Sequence, residues 1–599
     1  MAQRFDQAVK ESGLLTPDQF KAVSEEQAKV RNSTFYSAIR RTKVMDDETL
    51  VRFACEFFGM NRIGNAFKVN VDFPTTCKVM GSEQRQSSGT FSQQQQQTDD
   101  SEAIFAAIEA RMFAFMSNGK LHFVVNDPES EMLRVRITTV LGREPEFAII
   151  TNEEFEVILK YQLTPRAIGE QAKKIKTSAT AGYDTKSGVL DGSAASVTQK
   201  LLDMLIDAAM ERHASDLHLQ PMSEREAQVM LRVDGELVPY TTIKSNILPN
   251  LRNKLKTEAG VGGENENIPV EGQIRIYHNG LPVDIRINIV KSSLGFDFNL
   301  RFISSSIRSL KEFGLSPHIY DQYEKLLHMT KGLVILCGPT GSGKTSLLYA
   351  GFKDQLAENK AIFTIEDPVE IILPGVTQID VSKERGDTYA KLFPSSLRHD
   401  PDIVGIGEIR TLDVAQQTVQ ASNTGHLVFT TLHTNDAIGA ISRLINLGMK
   451  PYDVGEVVSA VIAQRLVRRV CTNCAEEYFL PADHVWRERY HLPKDQEIRL
   501  KRGKGCAVCA GTGYKGRISV NEILINTPDL RDAIQKNATR TEIETILSKH
   551  DYKTYIEDSI LKAMEGVTTF EEVDKLYADI LYTDADTLNG RHYYERDDI

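Results

Sequence analysis

Five apolar residues, LVILC from Leu333 to Cys337, run directly into GPTGSGKT at positions 338–345. A short, unbroken apolar run bounded by turn residues is the pattern of a parallel strand buried on both faces. The segment behind the loop, SLLYAGFKDQL, reads as a helix, so the order is strand, loop, helix. That order is what a phosphate cradle requires. Gly338, Gly341 and Gly343 let the backbone turn tightly enough for successive amides to point at phosphate oxygens. Pro339, Thr340 and Ser342 complete the loop, Lys344 reaches the β and γ oxygens, and the Thr345 hydroxyl is placed for Mg²⁺. This part of the chain is therefore expected to be an α/β P-loop nucleotide-binding domain.

Phosphoryl transfer also needs a carboxylate for the metal and an acceptor that orients the attacking water. In AIFTIEDPVE, Glu366 and Asp367 follow an apolar strand and precede a proline that stops it. In DIVGIGEIR, Glu408 ends a second short strand in the same way. A lone acid after a strand is commonly a surface group or a helix cap, and it is the pairing with the glycine loop that favours the functional reading. A third strand, LVFTTL, is bracketed by His426 and His433. His433 is the better candidate for contact with a γ-phosphate because it follows the strand, although such a histidine also serves as a cap or core group.

The second strong signal is cysteine spacing. Of seven cysteines, Cys471 and Cys474 form one CxxC pair and Cys506 and Cys509 another, with 31 residues between them. Two such knuckles offer four thiolates to a tetrahedral Zn²⁺, leaving no position for water, so the site is expected to be structural. A redox pair or unrelated buried thiols are the alternatives. The start of the chain shows no apolar core of an export signal, which fits free thiols and metal better than disulfides.

At 599 residues the chain is too long for one core. No apolar run approaches the roughly 20 residues of a membrane span, so a cytoplasmic protein with only peripheral membrane contact is expected. With 71 basic against 82 acidic residues and no basic stretch studded with aromatics, nothing points to nucleic acid. The polar tract QRQSSGTFSQQQQQTDD, residues 84–100, reads as an insertion, and the Gly/Ser/Ala/Thr-rich stretch 177–196 as a linker. The resulting scheme has an N-terminal partner-docking region at 1–165, a linker at 166–196 and an α+β domain at 197–308. A P-loop domain follows at 309–465, then a tetracysteine subdomain at 466–520 and a helical C-terminal region at 521–599. Within the first region, residues before the tract read as a small helical bundle. Those after it, including KLHFVVNDP, VRITTVLG and FAIIT, read as short strands around helices.

The motifs together resemble the type II secretion and type IV pilus assembly ATPases, the secretion NTPase superfamily. GPTGSGKT looks like that family's Walker A, TIEDPVE its aspartate box, LRHDPDIVGIGEIR its Walker B region and TGHLVFTTLHTNDA its histidine box, in the family's order. The likeness extends back to ASDLHLQP and forward through AQRLVRRVC and GYKGRISVNEIL, over roughly residues 197–577. It implies a RecA-like domain preceded by a PAS-like sheet domain, assembled as a homohexameric ring that hydrolyses ATP with Mg²⁺. By the same resemblance Glu366 positions or activates water, Glu408 is the Walker B carboxylate at Mg²⁺, and His433 responds to the γ-phosphate. Arg286 and Arg301 match the arginines of the family's sheet domain that close on the phosphates, a solvated strand position being the other reading of each. The tetracysteine layout resembles extension and secretion members rather than retraction motors. The N-terminal third is expected to dock on an inner-membrane platform or adaptor protein. Its opening faintly resembles a cyclic-di-GMP-binding module, but Asp6 stands where glycine would be needed, and helix packing is favoured.

Departures from the family pattern are equally specific. Thr411 stands where GEIRD would place an acid. The QDGR arginine is replaced by Gln273, with Arg275 the nearest arginine two residues on. These changes point to slow hydrolysis or a different closing geometry, and they are the only support for a non-hydrolysing structural subunit. The favoured function is a pilus extension motor, with a type II secretion ATPase as the alternative and a DNA-linked conjugation motor less favoured.

Overall fold

The computed structural model describes residues 4–580, apart from 31–32, 64–65, 67–68, 88–99, 118, 174–191, 262–268, 279, 304–306 and 382–387. The chain divides into two compact units, Met1–Phe302 and Ile303–Ile599.

In the first unit, helices Phe5–Ser12, Pro17–Lys29, Phe35–Thr42 and Asp47–Phe58 open the chain. Their starts are set by caps: the Thr16 hydroxyl accepts the Gln19 amide in a reciprocal capping box, and Asp46 accepts the Thr49 amide. Buried Phe5, Tyr36, Ile39 and Val51 share one core with Phe123 and Ile149 of a four-stranded sheet. That sheet contains β1 (Asn61–Arg62), β2 (Phe113–Ser117), β3 (Lys120–Val124) and β4 (Glu146–Ile149), in the order β1-β4-β3-β2. The expected helical bundle and the expected small α/β module are thus one domain. VRITTVLG, expected as a strand, lies in helix Glu131–Leu141. Its β-branched residues suggested a strand, but the Ser130 hydroxyl caps the helix start and Gly142, at φ 71°, ends it. Most of the polar tract 84–100 lies outside the described residues.

The linker drawn at 166–196 is also shortened. Helix Thr164–Lys173 belongs to the folded unit, where the Thr241 hydroxyl donates to the Pro165 carbonyl at 2.8 Å. Helix Gly192–Glu211 takes the linker's other end. Next come β5 (Asp216–Pro221), β6 (Glu226–Val233), β7 (Glu236–Lys244), β8 (Val270–His278), β9 (Leu281–Ser292) and β10 (Gly295–Ile303). They form one six-stranded sheet, β7-β6-β5-β10-β9-β8. Leu217 and Leu219, Val229 and Leu231, Ile285, Ile287 and Ile289, and Phe298 and Leu300 alternate toward one core. Leu201, Leu205, Leu251 and Leu255 of helices Gly192–Glu211 and Leu248–Glu258 cover that face.

The second unit is built on a seven-stranded sheet. Its strands are β11 (Gly332–Cys337), β12 (Ile362–Glu366), β13 (Thr377–Asp380), β14 (Ile403–Ile406), β15 (Leu427–Leu432) and β16 (Val458–Val470). After two short strands that pair with each other, β17 (Ala475–Phe479) and β18 (Arg499–Gly503), comes β19 (Tyr514–Ile525). The order is β13-β12-β14-β15-β11-β16-β19, parallel throughout except for the β16–β19 pair. All residues of β11, β12, β14 and β15 are buried, which explains their predominantly apolar sequences. Leu333, Ile335 and Cys337 face one core, whereas Val334 and Leu336 face another that includes helices Pro317–Leu327 and Lys344–Ala357.

Boundaries drawn at 465 and 520 cut through β16 and β19, which belong to the P-loop sheet itself. The strands flanking the tetracysteine segment pair with each other, and β16 also pairs with β11. Four helices from Pro528 to Ile580 close the described chain. Among the described residues no helix is long and apolar enough to cross a membrane.

Candidate functional site

The C-terminal ends of β12, β14, β15 and β11 lie side by side. Ile365 pairs with Ile406, Ile406 with Thr430, and Cys337 with Leu432. In open parallel sheets this edge is where ligands bind, because loops and helix N-termini converge there. The phosphate loop, Glu366, Glu408 and His433 all leave the sheet at this edge.

Gly338 and Gly343 are demanded by the turn itself. Gly338 has φ 148°, and a Cβ there would sit 2.5 Å from the Gln464 carbonyl; Gly343 has φ 86°, and its Cβ would sit 2.7 Å from Gln464 Nε2. Gly341, at φ 79°, has open space around it, so its constraint is conformational alone. Pro339, Thr340 and Gly341 are exposed, Ser342 is buried and Thr345 is partly exposed at the helix start. Lys344 folds back on the loop, its Nζ donating to the carbonyls of Gly338 at 2.7 Å and Pro339 at 3.0 Å. Burial lowers its pKa, with Cys337 and Glu408 opposing that shift.

Glu366 ends β12 and is 7% exposed. Thr364 Oγ1 donates to its Oε1 at 2.6 Å, Gln378 Nε2 to the same oxygen at 3.3 Å, and the Tyr349 hydroxyl to Oε2. Asp367, its neighbour in the sequence, is exposed. Gly407 links the two acidic strands, its amide donating to the Ile365 carbonyl at 2.8 Å. One residue on, Glu408 accepts from Arg410 Nε at 2.7 Å, and its other oxygen lies 3.5 Å from His433 Nε2. Burial and then Lys344 lower the His433 pKa below the ordinary imidazole value, while Glu408 pulls it upward. His426 lies at the opposite end of β15, where its Nδ1 is 3.2 Å from the Ala421 carbonyl.

Arg286 and Arg301 lie in the first unit, on β9 and β10, whereas the phosphate loop lies in the second. Arg286 is partly exposed. Arg301 Nε donates at 2.8 Å to Asp216, whose side chain is 4% exposed. Arg275 is held by a two-pronged pair with Asp284 across β8 and β9, at 2.7 and 2.8 Å. Gln273 faces Arg286 in the same register. Thr411 precedes helix Leu412–Asn423 as its N-cap residue, with no side-chain hydrogen bond to the helix.

Two residues of β16 at this edge were not singled out as site residues from the sequence. Fully buried Gln464 on β16 donates through Nε2 to the Ser342 carbonyl at 2.7 Å, and Arg465 NH2 donates to the Asn435 carbonyl at 2.7 Å, two residues past His433. The available signal was a polar pair inside the apolar strand VVSAVIAQRLV, since a buried amide or guanidinium must find partners.

The four CxxC cysteines converge, their Sγ atoms all within 4.8 Å of one another. Cys471 and Cys506 are separated by 3.8 Å, and Cys474 and Cys509, like Cys506 and Cys509, by 3.7 Å. Zn–S bonds of about 2.3 Å in a tetrahedron place sulfurs about 3.8 Å apart, so the donor set fits zinc. The amides of Cys506 and Gly513 donate to Cys509 Sγ at 3.2 and 3.3 Å, partners that suit a thiolate. Gly503 and Gly513 pass so closely that a Cβ on Gly503 would meet the Gly513 carbonyl oxygen at 2.1 Å.

Comparison with known proteins adds three relatives and a family. The family model described as "Type II/IV secretion system protein" matches residues 192–575. The chain is 36% identical over 387 residues to the type IV pilus assembly ATPase PilB of Thermus thermophilus, a match spanning 64% of this chain and 43% of that protein. It is 34% identical over 379 residues to the type II secretion system ATPase E of Vibrio cholerae, spanning 62% of this chain and 74% of that protein. It is 32% identical over 463 residues to the type II secretion system protein E of Pectobacterium carotovorum, spanning 75% of this chain and 91% of that protein.

Proposed function

We propose, from the premise that this chain belongs to the Type II/IV secretion system protein family, that it is a Mg²⁺-dependent ATPase driving assembly of a type IV pilus. One observation carries the reading: the phosphate loop, Glu366, Glu408 and His433 meet at the C-terminal ends of four adjacent parallel strands. In this reading the loop amides from Gly338 to Thr345 and the Lys344 ammonium hold the phosphates. Thr345 and Glu408 hold Mg²⁺, which would neutralise charge on the phosphates when bound. Glu366 takes the proton of the attacking water, and His433, kept neutral, donates to the γ-phosphate. Arg286 and Arg301 of the sheet domain, taken as PAS-like, contribute from residues 197–308. The tetracysteine cluster holds a structural Zn²⁺. The working form is a homohexamer at the cytoplasmic face of an inner membrane, docked on a platform or adaptor protein through residues 1–165.

The pilus reading is favoured by the likeness to the Thermus protein, and that to the Vibrio and Pectobacterium proteins favours the second reading, a type II secretion ATPase. The test of the ATPase is Mg²⁺-dependent ATP hydrolysis by zinc-replete protein across a concentration series, beside Lys344→Ala and Glu408→Gln. Turnover that rises with oligomerisation and falls at least about a hundredfold in both variants supports it. Tight ATP binding with no turnover at any concentration points instead to a structural subunit.

A further inference from the structure

Glu366 is more completely held than a strand-end acid on a ligand-binding edge needs to be. An ionised carboxylate offers about four acceptor positions, two on each oxygen. Among the described residues, Thr364 Oγ1 at 2.6 Å and Gln378 Nε2 at 3.3 Å approach Oε1, and the Tyr349 hydroxyl, which also lies 3.3 Å from Gln378 Nε2, takes one position on Oε2. Gln378 is itself fixed: its Oε1 accepts the Leu373 amide at 2.6 Å, and its Nε2 also donates to the Ile371 carbonyl at 3.0 Å. Thr364 is 1% exposed and Tyr349 is 1% exposed, so water does not compete for these bonds. Tyr349 lies on helix Lys344–Ala357, five residues beyond the lysine that begins it. One rigid element therefore carries both the phosphate loop and the group that touches Oε2.

We infer that Tyr349 is a positioning residue that, among the described residues, leaves Glu366 a single open acceptor position, on Oε2, and so sets the direction from which it receives a proton. The inference rests on the reading of Glu366 as the water-activating group. In the step it serves, an O–H bond of water breaks and its proton passes to Oε2. The water oxygen bonds to the γ-phosphorus, and the bond from that phosphorus to the bridging oxygen breaks, its electron pair staying with the departing diphosphate. Burial, reinforced by Glu366, raises the Tyr349 pKa, so the phenol remains a donor across the working pH range.

The experiment is steady-state ATP hydrolysis by the full chain with Tyr349→Phe, Thr364→Val and Glu366→Gln, beside equilibrium binding of a fluorescent ATP analogue. Tyr349→Phe keeps the ring in its slot and deletes the donor. Its kcat is expected to fall about tenfold, part of the usual general-base contribution, with KM and analogue affinity within about twofold. Thr364→Val leaves the Oε2 contact in place and is expected to lose less than about threefold in kcat. A second arm, 3-fluorotyrosine at position 349, preserves shape and strengthens the donor, and is expected to shift kcat at unchanged KM. The inference is overturned if Tyr349→Phe and the fluorinated protein turn over like wild type, or if affinity falls together with turnover. Wild-type turnover in Glu366→Gln overturns the underlying reading of Glu366 instead.

Discussion

Asp558 and Lys562 lie one turn apart on helix Tyr555–Met564, with side-chain exposures of 0% and 3%. Asp558 accepts from Lys562 Nζ at 3.1 Å, from the Asn521 amide at 2.9 Å and from the Ser316 hydroxyl. Asp558→Ala leaves a buried cation without its counter-charge and two donors without an acceptor. Removing one partner of such a pair costs roughly 3–5 kcal/mol. With a urea slope of about 2 kcal/mol/M, the unfolding midpoint of this region should fall by about 1.5–2.5 M. The reporter is built in, because Trp486 is the sole tryptophan of the chain. Its ring lies 5.2 Å from Phe570, its indole donates to Asp574 at 2.8 Å, and it shares a core with Ile556 and Ile560 of the same helix. Urea titration followed by tryptophan fluorescence therefore reads the affected region. Asp558→Leu combined with Lys562→Met removes both charges and should recover more than half of the loss. A single variant within about 1 kcal/mol of wild type, or a double variant no better than the single, would refute the reasoning.

Two further outcomes are expected. Purified protein should carry one zinc per chain by elemental analysis, and Cys474→Ser should lose it and expose the remaining thiols to a thiol reagent; metal-free protein with unreactive thiols would rule the centre out. For His433, burial and Lys344 hold the imidazole pKa below 6.5, so NMR titration should place its midpoint below that value, and Lys344→Ala should raise it. Because the unfolded chain takes up this proton first as pH falls, the stability linked to His433 is present above the ordinary imidazole range and is lost as pH drops through it. A midpoint at or above 6.5 contradicts the assignment.

The parallel sheet of the second unit was legible because burial on both faces leaves mostly apolar residues, and LVILC, IFTIE and LVFTTL are short, largely apolar runs. Glu366, Glu408 and His433 stood out for the same reason, as polar residues that end apolar strands. Tyr349 and Gln378 did not. Their partnership with Glu366 depends on helix Lys344–Ala357 bringing Tyr349 to the end of β12 and on β13 lying beside it, and no spacing in the sequence encodes that. VRITTVLG misled because β-branched composition outweighed its Ser130 and Gly142 boundaries. The division at 465 failed because the cysteine knuckle begins one residue after β16, so a change of composition looked like a change of domain. Arg275 and Arg301 could be seen in the sequence, but their carboxylate partners, Asp284 and Asp216, are set by strand register.

The pairing of Val470 with Tyr514, followed by the Cys471 amide donating to the Gly513 carbonyl at 2.9 Å, has an evolutionary reading. The chain leaves the sheet and returns to it at one point, so everything from Cys471 to Gly513 is a cassette whose ends already touch. Replacing it with a tight turn would leave an ordinary antiparallel hairpin of β16 and β19, and insertions with adjacent ends are readily gained and lost. What keeps the cassette in place is its apolar underside: Trp486 and Tyr490 pack on the Phe570 ring, each 5.2 Å from it, in a core that also holds Leu492. A lineage that discarded the zinc knuckles would have to find a new cover for that ring, and that requirement, rather than the sheet, would decide which deletions survive.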